Sequence, residues 1–439
     1  MSNRLTSLAL GSTTLAIACI ALVHCVQLDD GGNEPKVWGT AAQIHDDGTA
    51  SAVALDPAGN AVAVWSQTDG VWSSRCTPDG VCGTAERISH GTPVLVADDA
   101  AVAMDDAGNA VAVWSQFFVQ NNIYSNRYTP SAGWGIPQRL DDRSGEAFAP
   151  QVSMGADGTA VAVWAQFDGG LGGVWSNRYA PGERWSVPRP IGTTSAARVS
   201  GPQVALDADG NGVAVWAQSD DTRFDIWSNR YTRSSDWADA TPIEANDAGD
   251  ALAPQVALDA QGNAVVVWQQ SDGTRDDVWA NRYTSSDGWG AAERIEAEEE
   301  DDSLDPQLGV GSDGAAVAVW VKLGDSGDIW ANRYTPTDGW GTSEPIEANG
   351  SRDALEPGIA VDAEGNAAAV WRQINAVDDR IWTSRYTPTD GWGPAASIDD
   401  AATGARSAPQ VSMNPSGNAV AAWTVFGESG TGIWSNRMD

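Results

Sequence analysis

The chain has few basic residues for its size. Its 439 residues include 59 aspartates and glutamates but only 25 lysines and arginines, and the formal net charge is −34 at pH 7. The only lysines are Lys36 and Lys322. Because such a surface repels nucleic acid and anionic lipid, we predict no nucleic-acid partner and expect membrane contact only through a leader or a lipid anchor.

Histidine is almost absent, which limits catalytic and metal chemistry. The three histidines are His24, His45 and His90. A catalytic triad needs a placed histidine, and a His-rich zinc site needs several. The repeated Asp-x-x-Gly-Asn element, for example 207–211, lacks the 12-residue loop and terminal Glu of an EF-hand, so it reads as a turn. We predict no catalytic residue, no metal site and no cofactor.

The chain after its N-terminus also lacks apolar residues at helical spacing, and Gly or Asp-Gly recurs about every ten residues. What it has instead is tryptophan. All 22 tryptophans occupy three repeating positions. The first follows an apolar run (Trp65, Trp114, Trp164, Trp216, Trp268, Trp320, Trp371, Trp423), the second precedes a Ser-Asn-Arg-like run (Trp72, Trp175, Trp227, Trp279, Trp330, Trp382, Trp434), and the third opens a Trp-Gly-like run (Trp38, Trp134, Trp185, Trp237, Trp289, Trp340, Trp392).

Each repeat of 49 to 52 residues contains four extended segments, which we call A, B, C and D. In the repeat at 202–243, A is 202–207, B is 213–216, C is 226–231 and D is 237–243. Four short antiparallel strands per unit are typical of a propeller blade, with tryptophan between blades. The sequence therefore predicts an all-β, eight-bladed β-propeller.

The two ends of the repeat region are complementary. After the leader the chain begins with a lone D segment, and it ends with a lone A, B, C set. Pairing them would close the ring and remove free sheet edges. A solenoid is the alternative, but it would favour polar capping repeats.

Two motifs resemble those of known propellers. The C to D turn Thr-Asp-Gly-Trp at 337–340 resembles a shortened Asp-box of sialidase-type propellers, with one Gly between Asp and Trp. The layout of 202–216 is similar to the repeat of bacterial TolB-type propellers. Both resemblances imply the fold, and neither transfers an activity.

Every C segment ends in arginine (Arg75, Arg127, Arg178, Arg230, Arg282, Arg333, Arg385, Arg437). A ligand site repeated eight times is less economical than a contact between blades. We therefore expect these guanidinium groups to pair with carboxylates or carbonyls of the scaffold.

The N-terminus resembles an export signal, with Arg4 before an apolar stretch from Leu5 to Val23. Such a stretch could instead remain as a membrane anchor. The run ending at Cys25 resembles a bacterial lipobox, although His24 departs from it, so lipidation of Cys25 stays open. We expect a leader at 1–25, a linker at 26–36 and the propeller at 37–439, in a protein that is periplasmic, lipid-anchored at the outer membrane or extracellular.

Two cysteines replace an aromatic pair. Cys76 and Cys82 occupy the positions that Tyr283 and Trp289 hold in a later repeat. Those positions are cross-strand neighbours, so we predict a hairpin disulfide in an oxidising compartment. Two buried thiols are the alternative.

Spacing divides the two faces of the ring. The C to D distance between slots is ten residues in all seven instances, whereas B to C varies from seven to eleven. The face that carries the B–C and D–A loops is therefore the variable one, where rigid scaffolds place binding residues. Five phenylalanines are predicted to lie in its B–C loops (Phe117, Phe118, Phe167, Phe224, Phe426).

These phenylalanines are the candidate ligand-binding residues, stacking on a sugar or gripping a polypeptide. The alternative is that each folds back onto its own blade. We predict a monomeric binding or scaffold module for glycan or protein. Two alternatives remain: a glycan-cleaving enzyme that uses acidic residues near the ring axis, and a purely structural surface protein.

Overall fold

The computed structural model describes residues 36–90, 96–141, 145–194, 196, 198–244, 248–297, 301–347, 352–374, 379–399, 404–427 and 430–439. The leader at 1–25, with Cys25, and almost all of the linker lie outside these residues, as do Glu298 to Glu300 of an acidic run. Trp38–Asp439 form one compact unit.

The unit contains eight antiparallel sheets, each in the order A, B, C, D, which confirms the eight-bladed propeller. Blades are numbered here from the A strand at Thr49. The A strands are β2 (Thr49–Leu55), β6 (Val96–Met104), β11 (Glu146–Met154), β15 (Arg198–Leu206), β20 (Ala251–Leu258), β25 (Asp302–Val310), β30 (Asp353–Val361) and β35 (Ala405–Met413). The B strands are β3 (Ala61–Gln67), β7 (Ala110–Phe117), β12 (Ala160–Asp168), β16 (Gly212–Ser219), β21 (Ala264–Ser271), β26 (Ala316–Leu323), β31 (Ala367–Ile374) and β36 (Ala419–Gly427).

The C strands are β4 (Gly70–Cys76), β8 (Asn121–Thr129), β13 (Leu171–Tyr179), β17 (Phe224–Thr232), β22 (Asp276–Thr284), β27 (Gly327–Thr335), β32 (Asp379–Thr387) and β37 (Gly430–Met438). The D pieces are β1 (Ala42–His45), β5 (Glu86–Arg87), β9 (Gly133–Trp134), β10 (Gln138–Arg139), β14 (Arg189–Pro190), β18 (Asp236–Trp237), β19 (Thr241–Pro242), β23 (Gly288–Trp289), β24 (Glu293–Arg294), β28 (Gly339–Trp340), β29 (Glu344–Pro345), β33 (Gly391–Trp392) and β34 (Ala396–Ser397).

The ring closes as its complementary ends predicted. β1 is antiparallel to β37, with Ala42 opposite Ser435 and His45 opposite Ile433. A further bridge joins Trp38 to Met438. The N-terminal D strand and the three C-terminal strands therefore form blade 8, and no blade is left with an unpaired C strand.

The core lies between blades and is organised by the B-strand tryptophans. All eight are buried (Trp65, Trp114, Trp164, Trp216, Trp268, Trp320, Trp371, Trp423). Trp216 of blade 4, for example, packs in one cluster with Val161 and Val163 of blade 3. Its indole N–H donates to the Gln218 side chain at 3.2 Å, so the buried nitrogen is paired, as burial of a polar group requires.

The predicted single D strand is split into two short pieces in most blades. In blade 4, β18 pairs with Tyr231–Thr232 and β19 pairs with Trp227–Ser228. Between them the Asn229 amide donates to the Ala238 carbonyl at 2.9 Å and to Ile191 of blade 3 at 2.7 Å. A side chain thus replaces part of the backbone ladder and joins two blades.

The same cross-blade amide contact recurs around the ring (Asn126, Asn177, Asn229, Asn281, Asn332, Asn436). The arginine that follows also joins blades, as the sequence predicted. Its partner, however, is most often an aromatic ring: Arg230 lies 5.1 Å from the centroid of Tyr283 in the next blade, and four other arginines do the same.

Each A strand is interrupted by a β-bulge on the axial side of its blade. In blade 5 the register shifts between Leu252 and Gln255, and Ala253 there has a φ of 51°. The following residue, Pro254, has no N–H to offer. Because A strands are the innermost edges, the bulge and the proline both weaken the edge as a template for another strand.

Candidate ligand-binding face

The B–C and D–A loops emerge together, because B strands end, and C and A strands begin, on one side of every blade. This is the variable face that the spacing predicted. The described part of the chain contains no helix with the length and hydropathy of a membrane span.

The predicted phenylalanines lie at strand ends more than in loops. Phe117 ends β7, Phe224 begins β17, and Phe167 and Phe426 lie within β12 and β36. Phe118 alone follows a strand. The B and C strands of these blades extend further toward the face than the sequence pattern indicated.

Most of these rings pack onto their surroundings. Phe118 lies edge-on to Tyr124 with centroids 6.3 Å apart, and Phe167 is equally close to Phe148. The Arg198 guanidinium lies 4.8 Å from the Phe224 centroid. Phe426 is 41% exposed. The role of the five rings in ligand binding therefore stays a prediction.

A cavity of about 550 Å³ opens on this face between blades 4 and 5. Blade 4 contributes Thr222 and Arg223 from its B–C loop, and blade 5 contributes the rest. The blade 5 lining comprises Ala248, Gly249, Asp250, Leu252, Gln269, Ser271 and Asp276. The cavity therefore combines hydroxyl, amide, carboxylate and guanidinium groups with the side chain of one leucine.

The two loops that frame this cavity are locked by the same turn. In blade 4, one Asp220 oxygen accepts from the Thr222 backbone N–H at 2.9 Å and from the Thr222 hydroxyl at 2.5 Å. In blade 5, Asp272 accepts from Thr274 in the same way, at 2.8 and 2.6 Å. These bonds hold the pKa of each aspartate at about 2. The loops are therefore fixed by their own side chains.

Two carboxylates, Asp250 and Asp276, line the cavity. Burial raises the pKa of Asp276, partly offset by hydrogen bonding to Gln269, and the nearby Asp302 raises it further. Asp250 is solvent-exposed, and one of its oxygens accepts the Phe224 backbone N–H at 2.8 Å. One partly buried and one exposed carboxylate thus line one cavity.

A second cavity, of about 310 Å³, lies on the same face beside the ring closure. Its lining includes Asp47, Gln67, Asp98 and Thr431. Thr431 is the cross-strand partner of Phe426. Burial, and then the adjacent Asp99, raise the pKa of Asp98.

The opposite face is occupied by self-contained turns. In the A–B turn of blade 4, Asp207 accepts the Asn211 backbone N–H at 2.8 Å and its side-chain amide at 3.2 Å, and Gly210 has a φ of 76°. The sequence interpretation of this element as a turn is confirmed. Over the described residues, no group of three or more His, Cys, Asp or Glu side chains could hold a metal ion.

Cys76 and Cys82 form the predicted disulfide. It takes the place of the aromatic pair seen, for example, between Tyr283 and Trp289, whose ring centroids are 5.6 Å apart. A disulfide of this kind fits an extracytoplasmic protein.

The sequence reasoning missed the residues of the larger cavity. A signal was present: the B–C segments at 219–223 and 271–275 share Ser-Asp-x-Thr-Arg in consecutive blades.

Comparison with solved structures supports the fold. A polysaccharide lyase, an ulvan lyase described as representing a new family, aligns with a TM-score of 0.50 at 12% identity over 74% of this chain and 89% of its own. A protein of unknown function from Dyadobacter fermentans aligns with a TM-score of 0.46 at 11% identity over 78% and 94%. A Streptococcus pneumoniae sialidase aligns with a TM-score of 0.42 at 7% identity over 91% and 93%. No family model and no curated protein matches the chain.

Proposed function

We propose that this propeller is a glycan-binding module whose principal site is the cavity between blades 4 and 5. The cavity carries the proposal, because it combines concavity, convergent polar groups and a small apolar surface. Donors from Arg223 and Gln269 and acceptors from Asp250 and Asp276 suit a ligand rich in hydroxyl groups.

The locked loops add to this argument. Ordering a loop on binding costs affinity, and a loop fixed in advance avoids that cost. Since the Asp-Thr turns already hold both rims, a sugar would meet a preformed site. The ulvan lyase with a related fold has also been solved bound to a glucuronate–rhamnose saccharide; at 11% identity this likeness is one of fold, so the proposal depends on the cavity.

A matched pair of arginines tests the site. Arg223 lines the cavity and bonds Asp225 at 2.9 Å, whereas Arg275 holds the same loop position one blade on and pairs with Asp277 at 3.2 Å, outside the cavity lining. A glycan array should identify a bound saccharide. Its affinity should then fall about tenfold in Arg223→Ala, the loss of one charge-assisted hydrogen bond, and be unchanged in Arg275→Ala.

Gln269→Ala removes a second polar group from the cavity and should also lower the affinity. The risk to folding is small, because Ala165 and Ala217 hold the equivalent position in blades 3 and 4. Equal affinity in Arg223→Ala, Arg275→Ala and the parent protein would remove the cavity from consideration. The phenylalanine prediction is tested beside it: if these rings bind the saccharide, Phe117→Ala and Phe224→Ala should abolish its capture. If no saccharide is captured, a purely structural role is favoured.

A glycan-cleaving activity is the second candidate, and one observation favours it. Asp250 and Asp276 line the same cavity, and the raised pKa of Asp276 suits a proton donor. Turnover of a chromogenic glycoside that Asp276→Asn eliminates, while binding persists, would establish it. Binding without turnover would favour the glycan-binding module over the enzyme.

Export is proposed together with this function, since the leader-like N-terminus and the disulfide are both typical of exported proteins. Cell fractionation would place the chain. Metabolic labelling with a fatty acid, compared between the parent protein and Cys25→Ser, would decide whether Cys25 is acylated.

A further inference from the structure

A groove on the opposite side of the ring, between blades 2 and 3, has the chemistry of a separate site. Its volume is about 330 Å³, and it lies beside the C–D turns of both blades. The lining includes the aromatic residues Trp134, Tyr179 and Trp185, and the charged residues Arg127, Glu183 and Arg184. We call it the rim groove.

The two tryptophans that line the rim groove are held in place by neighbouring tyrosines. Trp134 and Trp185 are both partly exposed, and each is braced by a tyrosine of its own blade, Tyr128 at 5.6 Å and Tyr179 at 5.8 Å between ring centroids. The braced rings therefore offer flat surfaces that need not reorder when a ligand binds.

The turn of blade 3 departs from the repeat at this groove. In blade 6 the turn reads Asp-Gly-Trp: Asp338 accepts from the Thr335 hydroxyl at 3.1 Å, and Gly339, with a φ of 78°, directly precedes Trp340. Blade 3 instead carries Glu183 and Arg184, and its left-handed glycine lies three residues before the tryptophan. The spacing of ten is kept, but the turn has a different shape.

Both new charged side chains are left for solvent. Glu183 and Arg184 are exposed, and among the described residues neither forms an ion pair. Arg127 lies 4.8 Å from the Tyr179 centroid, and its buried Nε has no hydrogen-bond partner in the described part of the chain. Two guanidinium groups and one carboxylate make this groove locally cationic on a protein of net charge −34.

Apolar side chains flank the same place. Ile136 and Val187 are 79% and 81% exposed, two residues after Trp134 and Trp185. The corresponding residues of blades 1, 4 and 6 are Thr84, Asp239 and Thr342. Branched apolar residues on an exposed rim, at two adjacent blades, are typical of a contact surface.

We infer that the rim groove binds an acidic saccharide. The faces of Trp134 and Trp185 would pack against the apolar face of the sugar ring. Arg184, with Arg127 behind it, would bind its carboxylate or sulfate, the pairing that guanidinium geometry suits. The site is separate from the cavity between blades 4 and 5 and does not depend on it.

Calorimetric titration of the folded full chain tests this with two probes, trigalacturonate and neutral maltotriose. Trigalacturonate should bind at least about tenfold more tightly than maltotriose, and Arg184→Gly should weaken it about tenfold. Ile136→Thr, which installs the residue of blade 6, should weaken it by a smaller factor. Arg223→Ala should leave this binding intact, which separates the rim groove from the other cavity.

An unchanged thermal midpoint for Arg184→Gly and Ile136→Thr would show that these variants remain folded. Equal binding of the two probes, or no effect of Arg184→Gly, would overturn the inference. Octaproline is a third probe, because aromatic grooves also bind polyproline helices; binding of octaproline with no binding of trigalacturonate would equally overturn it.

Discussion

The interface between blades 4 and 5 and the seam between blades 8 and 1 both join neighbouring blades, but they use different contacts. At blades 4 and 5, the Asn281 amide donates to Ile243 of blade 4 at 2.8 Å and to its own Gly290 at 3.2 Å. Arg230 lies over Tyr283, and the Trp268 indole donates to Gln270 at 3.0 Å.

At the seam these contacts are reduced. Ser74 stands in the asparagine position, and its hydroxyl donates to the Gly83 carbonyl of its own blade at 2.9 Å. The Trp65 indole nitrogen is buried without a partner among the described residues. Cys76 stands at the position where five other blades carry the tyrosine that an arginine contacts, and Arg437 donates instead to the Gly59 carbonyl at 2.6 Å.

The difference shows that the repeat tolerates exchange of contact types as long as the interface stays closed. Blade 1 lacks the asparagine bridge, accepts hydrogen bonds from Arg437 and Asn414 of blade 8 at its Gly59 and Pro57 carbonyls, and has a covalent bond within its own hairpin. The interface that carries the larger cavity has the asparagine bridge, the arginine–tyrosine contact and the paired indole together, and the interface between blades 1 and 2 has the same three contacts.

The largest effect should come from the buried indoles. Trp65→Ala and Trp268→Ala both empty a fully buried position, so each should lower the free energy of unfolding by about 3–5 kcal/mol. Trp268→Ala should cost roughly 1 kcal/mol more, because it also deprives Gln270 of its donor. Urea unfolding measures both, and a larger loss at Trp65 would contradict the comparison.

The disulfide should matter next. Reduction should destabilise the protein by about 2 kcal/mol, as expected for a short closed loop, seen as a lower thermal midpoint with reductant. The double variant Cys76→Tyr, Cys82→Trp should be insensitive to reductant and keep part of the stability, since it gives Arg437 a ring. No response of the parent protein to reduction would show that the hairpin does not limit stability.

The asparagine bridge should have a smaller effect, and it can be exchanged between the two regions. Asn281→Ser should cost about 1 kcal/mol by removing one cross-blade hydrogen bond. Ser74→Asn should return up to about the same amount at the seam, if its amide reaches the Ile44 carbonyl. Chemical denaturation of both variants measures the two changes. A loss of free energy of unfolding in Ser74→Asn as well as in Asn281→Ser would contradict the comparison.

The smallest effect is a dependence on pH that comes from the carboxylates of blade 5. In blade 5 the Asp276 backbone N–H donates to Asp302 of blade 6 at 3.0 Å, whereas the seam uses the neutral Thr431 hydroxyl as acceptor for Gly48. The pKa of Asp276 is raised above 3.8 in the folded state. Its contribution to the free energy of unfolding is therefore fully present below pH 3.8 and is lost as the pH rises through the raised pKa.

Asp272 in the same loop has the opposite sign. Its pKa of about 2 means that its stabilisation is present above pH 3.8 and is lost as pH falls toward 2. The free energy of unfolding should be measured from pH 3 to 7. In Asp276→Asn it should lose the part of its pH dependence that comes from Asp276. Ser74→Ala at the seam serves as the control, because its hydroxyl donates to a backbone carbonyl, and it should leave the pH profile unchanged.

Much of the fold could be predicted, because its determinants repeat. Trp216 and its equivalents recur at a period that only stacked blades explain, and Cys76 with Cys82 replaces a pair already known to be cross-strand. Asn229 recurs in six of the eight repeats, but its role could not be predicted, because its partner, the Ile191 carbonyl, belongs to another blade and backbone groups leave no mark in the sequence. The candidate site was located only to a face: Phe224 proved to lie at a strand end, and Asp250 and Gln269 became neighbours only through packing.

The sequence by itself determined the number of blades, the closure of the ring and the variable face, because periodic burial of large indoles and complementary chain ends admit few arrangements. Only the tertiary structure decided which side chains share a cavity. That depends on contacts between blades about fifty residues apart, where a turn conformation or a one-residue bulge changes which groups meet without altering the repeat pattern.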